Sequence, residues 1–391
     1  MTGELGMRYG CNPHQTGARC FLEEGDLPLR AVHNAPSYIN LLDALNAWQL
    51  VRELKAATGL PAAASFKHLS PAGAAVGLPP SAALRQALFI PDEAELSPLA
   101  CAYARARGAD RLASFGDWIA VSDPLDLSTA EVIRREMSDG LVAPGFEEGT
   151  VELLKGKKGG DYKLLEIDGG YEPRDPESRQ VFGVNLEQPR NDFVPDDGFF
   201  ANVVTARKEL SDEARRDLTV ATIAVKYTQS NSVVCAVDGQ VAGAGAGQQS
   251  RIHCVRLACG KADRWHLRQH PAVRGLRFRK GLRRADKDNA IDLFFEDELS
   301  GPEEAAWREC FREVPERLSA RDRREWLDGV RGVALSSDAF FPFRDNIDRA
   351  SRSGVEHVVQ PGGSVKDDEV IAAADGYSMT MVFSGVRLFH H

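Results

Sequence analysis

Lys67 and His68 are the adjacent residues in this sequence best suited to acid–base chemistry. A neutral imidazole can accept a proton, and a neighbouring ammonium group can stabilise a negatively charged oxygen. Ser70 and Pro71 follow, an N-cap and first-turn pair that predicts the start of a helix. The dipole at that helix start and the charge of Lys67 would both keep His68 neutral. The local sequence therefore predicts a general base beside an oxyanion-stabilising cation, although a Lys-His pair taken alone is more often structural.

A glycine-rich stretch, AGAGAGQQSRIHCVRLA at 242–258, predicts a strand end that leads into a helix. Such a turn lets a ligand approach the backbone and offers N–H groups to an anion. A dinucleotide-binding turn is the obvious alternative. However, these glycines follow a hairpin strand, and no acidic residue closes a second strand about twenty residues later, which disfavours that alternative.

The loop SSDAFFPFRDN at 336–346 brings adjacent phenylalanines, Pro342, Arg344 and Asp345 together. Packed phenylalanines usually belong to a core. The charged residues and the proline so close by nevertheless suggest a pocket wall for a flat ring, such as a nucleotide base or a pterin.

Metal and ATP chemistry find little support in the sequence. Cys254 and Cys259 have His253 beside them but lack a second pair of ligands, so buried thiols are the better interpretation. The zinc-deaminase signature and the phosphate-binding G-x-x-x-x-G-K-[ST] loop are both missing. We therefore expect no metal site and no use of ATP.

Strands and helices alternate around these residues in the first half of the chain. Residues 41–54 have a helical apolar period, with Asn40 as the expected N-cap and Gly59 as the stop. The run AAASFKH predicts a buried strand, and WIAVSD at 118–123 predicts another. Ser128 and Glu131 fit a capping box for a helix that runs to Gly140, after which LVAP resumes a strand.

The second half repeats this alternation. SDEARRDLTVATIAVKYT predicts an amphipathic helix, and Asp238–Gly239 predicts a hairpin turn between VVCAVD and QVAGAGA. A strand–helix–strand unit follows at VALSS, DNIDRASRSG and VEHVVQP. The fold class is therefore α/β with layered sheets. We expect one unit at 1–172 and a second at 173–391, the second interrupted by a helical insertion at about 262–330.

Composition excludes several classes of protein. The 391 residues carry a net charge of -9, which argues against a nucleic-acid surface, and the basic run at 274–284 is better explained as a solvated helical face. No apolar run approaches the ~20 residues that span a bilayer. The seven cysteines are scattered, and no signal peptide is recognisable, so we expect a cytoplasmic protein without a membrane or nucleic-acid partner.

Eight motifs together resemble one enzyme family in order and register along nearly the whole chain. The family is the AICAR transformylase domain of the bifunctional purine biosynthesis protein, where AICAR is 5-aminoimidazole-4-carboxamide ribonucleotide. The motifs are RYGCNPHQ (8–15), SFKHLSPAGAAVG (65–77), AYARARGADRLASFGD (102–117), REMSDG (135–140), AVKYTQSNSV (224–233), GAGQQSRIHC (245–254), SSDAFFPFRDN (336–346) and RLFHH (387–391).

The resemblance implies a fold, a reaction and partners. It implies two cytidine-deaminase-like α/β/α units with a small helical insertion and no zinc. The reaction would transfer a formyl group from 10-formyltetrahydrofolate to the 5-amino group of AICAR in purine biosynthesis. The family forms a homodimer with active sites at the subunit interface. The resemblance leaves open whether a structural monovalent cation is bound. Nothing in the sequence corresponds to the family's IMP cyclohydrolase domain, so either a separate cyclohydrolase is implied or the sequence is part of a longer chain.

The resemblance also implies residue roles. His68 would be the proton acceptor, Lys67 the transition-state stabiliser and Asn231 a third catalytic residue that orients the substrate. Nucleotide contacts would fall on Arg8, Tyr9, Gly116, Asp139, Asn231, Arg251, Phe340 and Arg387. Folate contacts would fall on Ile252, Asp345, Ser364 and Val365. The segment GGSVKDD departs from the family at Val365, where a small residue is usual.

Three other functions remain to be weighed against this one. An ATP- and formate-dependent ligase would make the same product, but the missing phosphate loop disfavours it. A non-catalytic purine-nucleotide-binding protein would not need both Lys67 and His68. A dinucleotide-dependent oxidoreductase would need the fingerprint that the glycine-rich stretch lacks.

Overall fold

The computed structural model describes residues 3–7 and 9–391. Its strands are β1 (Glu4–Gly6), β2 (Arg19–Phe21), β3 (Leu29–His33), β4 (Ala62–Lys67), β5 (Ser70–Val76), β6 (Asp117–Val121), β7 (Ser138–Ala143), β8 (Lys163–Ile167), β9 (Glu177–Val181), β10 (Val184–Gln188), β11 (Val233–Val237), β12 (Gln240–Gly245), β13 (Val333–Ser337), β14 (Val355–Gln360) and β15 (Thr380–Phe383).

The helices alternate with these strands. They are α1 (Tyr38–Thr58), α2 (Ala82–Ala87), α3 (Pro98–Gly108), α4 (Leu127–Arg134), α5 (Thr150–Lys155), α6 (Asp212–Lys226), α7 (Arg251–Leu267), α8 (Pro271–Arg274), α9 (Arg284–Phe294), α10 (Gly301–Arg308), α11 (Ala320–Leu327), α12 (Asp345–Ser351) and α13 (Asp367–Gly376). Short 3-10 helices lie at Lys157–Gly160 and Asp197–Phe200.

One mixed sheet of eleven strands organises the chain, in the order β15-β14-β13-β11-β12-β5-β4-β6-β7-β8-β3. Six of its strands come from residues 29–167 and five from residues 233–383. The two sets meet where β12 pairs antiparallel with β5, at Gln240 and Ala75. The α/β class expected from the alternating pattern is confirmed, and the sheet is continuous across both halves.

Helices cover both faces of the sheet. Ala62 and Ala64 of β4 pack in the cluster that contains α1 and α6, whereas Ala63 packs in the cluster that contains α3. Successive strand residues point to opposite faces, so α1 and α6 share one face while α3 lies on the other. This explains why AAASFK carries no alternation, because both of its faces are buried.

The segment 262–330 forms helices, as expected. It contributes the end of α7 and helices α8 to α11, which pack around their own aromatic cluster with Phe294, Trp307 and Phe311. Trp307 donates its indole N–H to the carbonyl of Ala290 at 2.9 Å. None of the helices in 3–7 and 9–391 is both long and apolar enough to cross a membrane.

Several local predictions hold, and some boundaries differ. Gly59 ends α1 in the left-handed conformation with φ 69°, as expected. Its N-cap is Ser37 and not Asn40. Asn40 is the third helical residue, and its side chain accepts a hydrogen bond from the Ser37 N–H, which completes a capping box. For α4 the N-cap is Asp126, which accepts from the N–H of Thr129, and the helix ends at Arg134 because β7 begins at Ser138. Ser128 instead accepts from the N–H of Ser97, the N-cap of α3.

The predicted helix at Ser70 and Pro71 is wrong. Residues 70–76 form β5, which pairs antiparallel with β4 so that Lys67 lies opposite Ser70. His68 and Leu69 make the two-residue turn with φ 54° and φ 62°, the pattern of a type I′ hairpin. The helix dipole invoked to keep His68 neutral is therefore absent from this position.

The glycines of β12 serve helix packing. A Cβ on Gly243 would lie 2.2 Å from the carbonyl oxygen of Ala258, and one on Gly245 would lie 2.2 Å from that of Cys254. Both carbonyls belong to α7, so only glycine lets α7 lie this close to the strand. Gly73 of β5 plays the same part for α3, with the Ala106 carbonyl 2.0 Å from its ideal Cβ.

We expect Gly243→Ala to lower the free energy of unfolding by about 1–3 kcal/mol, because α7 would be forced off the strand. Gly260→Ala is the matched control, since Gly260 lies within α7 with no atom within 4 Å of its ideal Cβ. That control should be stabilised by up to about 1 kcal/mol through helix propensity. Urea unfolding measures both, and equal stability of Gly243→Ala and wild type would contradict the packing role.

Candidate functional site

The sheet topology brings most of the predicted site residues to one edge. At this edge the start of β11 lies near the ends of β12, β13 and β4. This arrangement follows from the antiparallel pairing of β11 with β13, of β12 with β5 and of β4 with β6. The start of β7 lies there too, because β7 runs parallel to β6. The predicted residues next to these strand ends are Lys67, His68, Gly116, Asp139, Asn231, Arg251, Ile252, Phe340, Asp345, Ser364, Val365 and Arg387.

The turn that carries His68 is tied to helix α1. Asp43, a buried residue of α1, accepts a hydrogen bond from the N–H of Leu69 at 2.8 Å. Burial raises the pKa of Asp43, and the Leu69 N–H and the nearby His68 partly oppose this. His68 itself is exposed at the tip of the turn. A buried carboxylate thus holds the backbone of an exposed histidine in place.

Lys67 points along the edge towards the neighbouring strand. Its Nζ donates to the carbonyl oxygen of Phe115 at 2.6 Å. Gly116 follows with φ 74°, and its N–H donates to Met137 O at 3.0 Å. A Cβ on Gly116 would lie 3.8 Å from Oδ1 of Asp139, so these two predicted residues are neighbours. Lys67, His68, Gly116 and Asp139 therefore form one group, which we call the hairpin group.

A second group surrounds the loop before β11. Asp338, fully buried at the end of β13, accepts from Ser230 Oγ at 2.6 Å and from the N–H of Ser232 at 3.0 Å. Arg251 forms a buried ion pair with Asp338 and donates to Oδ1 of Asn231 at 3.1 Å. We call Asn231, Arg251 and Asp338 the loop group. The Arg251 guanidinium, predicted to contact a nucleotide, is engaged by these partners and by Ser232 O at 2.7 Å.

Hydrogen bonds join the segments that carry the two groups to each other and to the C-terminal segment. The N–H of Gln229 donates to Ser70 Oγ at 3.2 Å, which joins the loop before β11 to the β4–β5 hairpin. Leu388 N–H donates to the carbonyl of Asp338 at 2.9 Å, and His390 N–H donates to Ser230 Oγ at 3.0 Å. Arg387 is exposed beside this junction, with its guanidinium 4.6 Å from the Phe389 ring.

The predicted folate residues follow β12, β13 and β14. Phe340 and Phe343 are 42% and 57% exposed, so this loop presents aromatic rings to solvent while Phe341 is buried. Asp345 begins α12, and its Oδ1 accepts from the side chain of Asn346 at 2.9 Å. Exposed aromatic faces beside a carboxylate could bind a flat heterocycle with N–H donors.

The remaining predicted residues differ in their exposure and in the elements that carry them. Ser364 and Val365 lie in the turn after β14, which Asp367 holds by accepting from the Ser364 N–H at 3.1 Å. Val365 is fully exposed and Ile252 is half-buried in the first turn of α7. Tyr9 is half-buried, and Arg8 lies outside the described residues.

The width of the edge separates the two ends of the predicted site. Asp139 at the start of β7 and Ser364 after β14 are seven strands apart in the sheet order. At a spacing of about 4.8 Å per strand, that corresponds to on the order of 30 Å along the sheet. Asp139 is predicted for the nucleotide and Ser364 for folate, but Phe340, also predicted for the nucleotide, follows β13 and is itself six strands from Asp139, which is wider than one nucleotide.

Sequence reasoning missed Asp43 and Asp338 as supports. Asp338 lies within the SSDAFFPFRDN motif directly after a strand, which was the available signal. Asp43 gave no such signal, because its partner Leu69 lies 26 residues further along the chain, beyond the rest of α1 and the whole of β4. Among the residues that the structure describes, no group of three or more His, Cys, Asp and Glu side chains could hold a metal ion.

Comparisons with known proteins agree on one family. A family model described as AICARFT/IMPCHase bienzyme matches residues 1–261. The bifunctional purine biosynthesis protein PurH of Cereibacter sphaeroides is 33% identical over 394 residues, which covers 98% of this chain and 59% of that protein. PurH of Roseobacter denitrificans is 32% identical over 396 residues, with the same two coverages of 98% and 59%. The chain thus spans 59% of the length of these curated relatives.

We expect Asp338→Ala to lower the free energy of unfolding by about 3–5 kcal/mol, because Arg251 would be left buried without its counter-charge. Glu325→Ala is the control, since its ion pair with Arg321 is exposed on both sides and exposed pairs contribute little. Urea unfolding of both variants gives the comparison. Similar small losses for the two variants would show that Asp338 does not organise the loop group.

Proposed function

Because the chain belongs to the AICARFT/IMPCHase bienzyme family, we propose that it transfers a formyl group from 10-formyltetrahydrofolate to the 5-amino group of AICAR. The products are formyl-AICAR and tetrahydrofolate, a step of purine biosynthesis that would take place in the cytoplasm. The observation that carries the proposal is the placement of Lys67, at the end of β4, and His68, in the tethered turn that follows, on the same edge as Asn231 and the exposed aromatic loop.

The 5-amino group of AICAR is a poor nucleophile, because its lone pair is delocalised into the ring and the carboxamide. His68 takes a proton from this amine as its nitrogen bonds to the formyl carbon. The exposed position of the imidazole on a fixed turn suits this role. Since no helix starts at Ser70, the tether to Asp43 and the cation of Lys67 form the surroundings of His68, in place of a helix dipole.

Lys67 stabilises the negative oxygen that develops on the formyl carbon and supplies a proton to N10 of the departing folate. Within the described part of the chain its ammonium group donates to Phe115 O, and an ammonium carries three N–H donors, so others remain for substrate. Bond making at the amine and bond breaking at N10 then balance, with one proton accepted by His68 and one delivered to N10. Lys67 would recover its proton through solvent or His68.

Asn231 orients the substrate, and Arg251 acts on Asn231. The hydrogen bond from Arg251 to Oδ1 of Asn231 leaves the amide N–H₂ of Asn231 to donate to the nucleotide. Arg8 and Arg387 hold the 5′-phosphate, which suits the exposed guanidinium of Arg387. Tyr9, Gly116, Asp139 and Phe340 complete the nucleotide contacts, and Ile252, Asp345, Ser364 and Val365 those to folate.

The protein works as a homodimer with two cytidine-deaminase-like units per chain, at 1–172 and 173–391. The width of the edge, on the order of 30 Å at the usual strand spacing, supports a site completed by a second copy. The hairpin of β9 and β10 supports it independently. Its cross-strand pairs place Val181, Val184 and Leu186 on one face, with Arg179 opposite Leu186 and the Glu177–Gln188 pair at the base of that face, and Gln180 and Asn185 on the other face. All three apolar side chains are at least 50% exposed.

An isolated two-stranded hairpin is marginally stable in water, so an apolar face of this kind needs a surface to cover it. A second copy of the chain is the occupant that the family suggests. The hairpin lies near the C-terminal segment. Burial lowers the pKa of His390, and the charges of Glu177 and Arg179 are close enough to affect it as well. A partner held by the hairpin would thus lie beside the loop group.

We expect His68→Ala to reduce turnover by about 10²–10⁴-fold, because the proton acceptor is lost, while AICAR binding survives. The absorbance change on mixing AICAR, 10-formyltetrahydrofolate and protein measures turnover, and calorimetry measures binding. His270→Ala, in the helical insertion, is the control and should keep full activity. Binding without turnover in the wild type would instead favour a non-catalytic purine-nucleotide-binding protein.

We expect the wild type to sediment as a dimer and a Val181→Ser, Val184→Ser, Leu186→Ser variant to sediment as a monomer, because the apolar face no longer covers a partner. Gln180→Ala with Asn185→Ala changes the opposite face and should leave the dimer intact. Analytical ultracentrifugation at several concentrations distinguishes them. A monomeric wild type, or a dimeric triple variant, would refute this role for the hairpin.

A further inference from the structure

The position of the Lys67 ammonium group depends on one backbone oxygen, the carbonyl of Phe115, to which Nζ donates at 2.6 Å. A lysine ammonium sits on a flexible four-carbon stem, so a fixed acceptor is what gives it a fixed place. The ring of Phe115 does not anchor this backbone, because it is 47% exposed. The carbonyl must therefore be held by contacts of the neighbouring residues.

Ser114, the residue before Phe115, is fully buried and is held at three of its atoms. Its carbonyl oxygen accepts from Arg107 Nη1, and its own N–H donates to the carbonyl of Asp110 at 2.9 Å. Its hydroxyl oxygen lies 2.8 Å from Ser65 Oγ, within hydrogen-bond distance. Polar contacts in the interior thus fix the peptide unit that leads into Phe115.

A buried carboxylate, Asp117, connects two of these contacts. Its Oδ1 accepts from Arg107 Nη1 at 3.0 Å, and its Oδ2 accepts from Ser65 Oγ at 2.5 Å. All three side chains are buried. Burial raises the pKa of Asp117, and Arg107 and Ser65 partly oppose this. We call Ser65, Arg107 and Asp117 the Asp117 group.

Arg107 is itself held from its other side. Its Nε donates to Glu136 Oε2 at 3.0 Å, and Glu136 also pairs with Arg111 and Arg284. Burial opposes the ionisation of Glu136, but the arginines outweigh it and lower its pKa to about 2. One planar guanidinium therefore contacts two ionised carboxylates and the Ser114 carbonyl, which fixes its orientation. Hydrogen bonds of this kind are stronger in the interior than in water.

We propose that Ser65, Arg107 and Asp117 are positioning residues for Lys67. They hold Ser114, and through it the Phe115 carbonyl, so that one N–H of the ammonium is engaged and the other two face the reacting formyl group. A displacement of about 1 Å at a reacting group can cost about 10²-fold in rate. The effect on turnover rests on the proposed function, whereas the hold on Lys67 does not.

A second serine–aspartate–arginine set in the same chain provides a matched control. Ser353 Oγ donates to Asp263 Oδ1 at 2.5 Å, and Asp263 pairs with Arg349 at 2.9 Å. Ser353 is as buried as Ser65. Ser353→Ala therefore removes the same kind of hydrogen bond as Ser65→Ala, in a set that makes no contact with Lys67.

Steady-state kinetics test the Asp117 group. We expect Ser65→Ala to lower kcat about tenfold, because the ammonium is no longer held beside the reacting oxygen. KM for AICAR should stay within about twofold, since the proposed nucleotide contacts are untouched. Ser353→Ala should keep the kcat of the wild type, although urea unfolding should show a comparable loss of stability in both variants. Ser114→Ala removes only the contact with Ser65 and should show the same split between kcat and KM if Ser65→Ala is too unstable to purify.

Acetylation of Lys67 by acetic anhydride, read by peptide mass spectrometry, tests the hold on the ammonium without any substrate. The unprotonated amine is the form that reacts, and the hydrogen bond to Phe115 O favours the ammonium. We expect Lys67 to be acetylated about threefold faster or more in Ser65→Ala than in the wild type, because that hydrogen bond is weakened. Ser353→Ala should match the wild type. Lys155, in an exposed ion pair with Glu152, is the internal reference and should react equally in every variant.

The proposal is overturned if Lys67 is acetylated at the same rate in the wild type, Ser65→Ala and Ser114→Ala. It is also overturned if Ser65→Ala keeps the kcat of the wild type, or if Ser353→Ala loses as much kcat as Ser65→Ala. A wild type that transfers no formyl group refutes the proposed function instead, and the acetylation rates then still decide whether the Asp117 group holds Lys67.

Discussion

The two-residue turn at His68 and Leu69 determines how the two halves of the sheet are joined. By reversing the chain, it makes residues 70–76 a strand, and that strand is the one that pairs with β12 and joins the two halves of the sheet. The same reversal leaves Lys67 and His68 at the sheet edge. Had the chain continued into a helix at Ser70, β12 would have lost its partner, and the loop before β11 would have lost the hydroxyl of Ser70 that holds Gln229.

The failure of the helix prediction at Ser70 has a physical explanation. Ser-Pro is a strong helix-start signal, but it competes here with the small residues that follow it. A strand of Ala and Gly lets α3 approach so closely that the Ala106 carbonyl occupies the space of a Cβ on Gly73. That contact is between residues 33 apart and leaves no local trace. Elements with long periodic patterns or strong turns, such as α1, α6 and the β11–β12 hairpin at Asp238–Gly239, were predictable because their signals are local.

The candidate site likewise combines residues that the sequence indicates with supporting residues that only the fold reveals. Residue types and motif order led us to propose Lys67, His68 and Asn231 as the reacting residues. The residues that position them were not visible, since Asp43 acts on Leu69 and Asp338 acts on Ser230, Ser232 and Arg251 across long stretches of chain. A carboxylate that is buried and multiply hydrogen-bonded resembles any surface Asp until the fold supplies its partners. The structure was therefore needed to separate the exposed residues proposed to react from the buried residues that support them.

Both halves of the sheet pack a helix closely against a strand, and both use glycine on the strand to do so. Where β5 and β12 meet, α3 lies over β5 and α7 lies over β12, each against a glycine that has no room for a side chain. Two helices side by side over adjacent strands must both lie close to the sheet, because a larger residue on either strand would lift its helix. The glycine-rich stretch of β12 is thus explained by the junction itself. Its N–H groups need no ligand to account for its composition. The part of the edge where we propose that a nucleotide binds is formed by the loops that the junction holds in place.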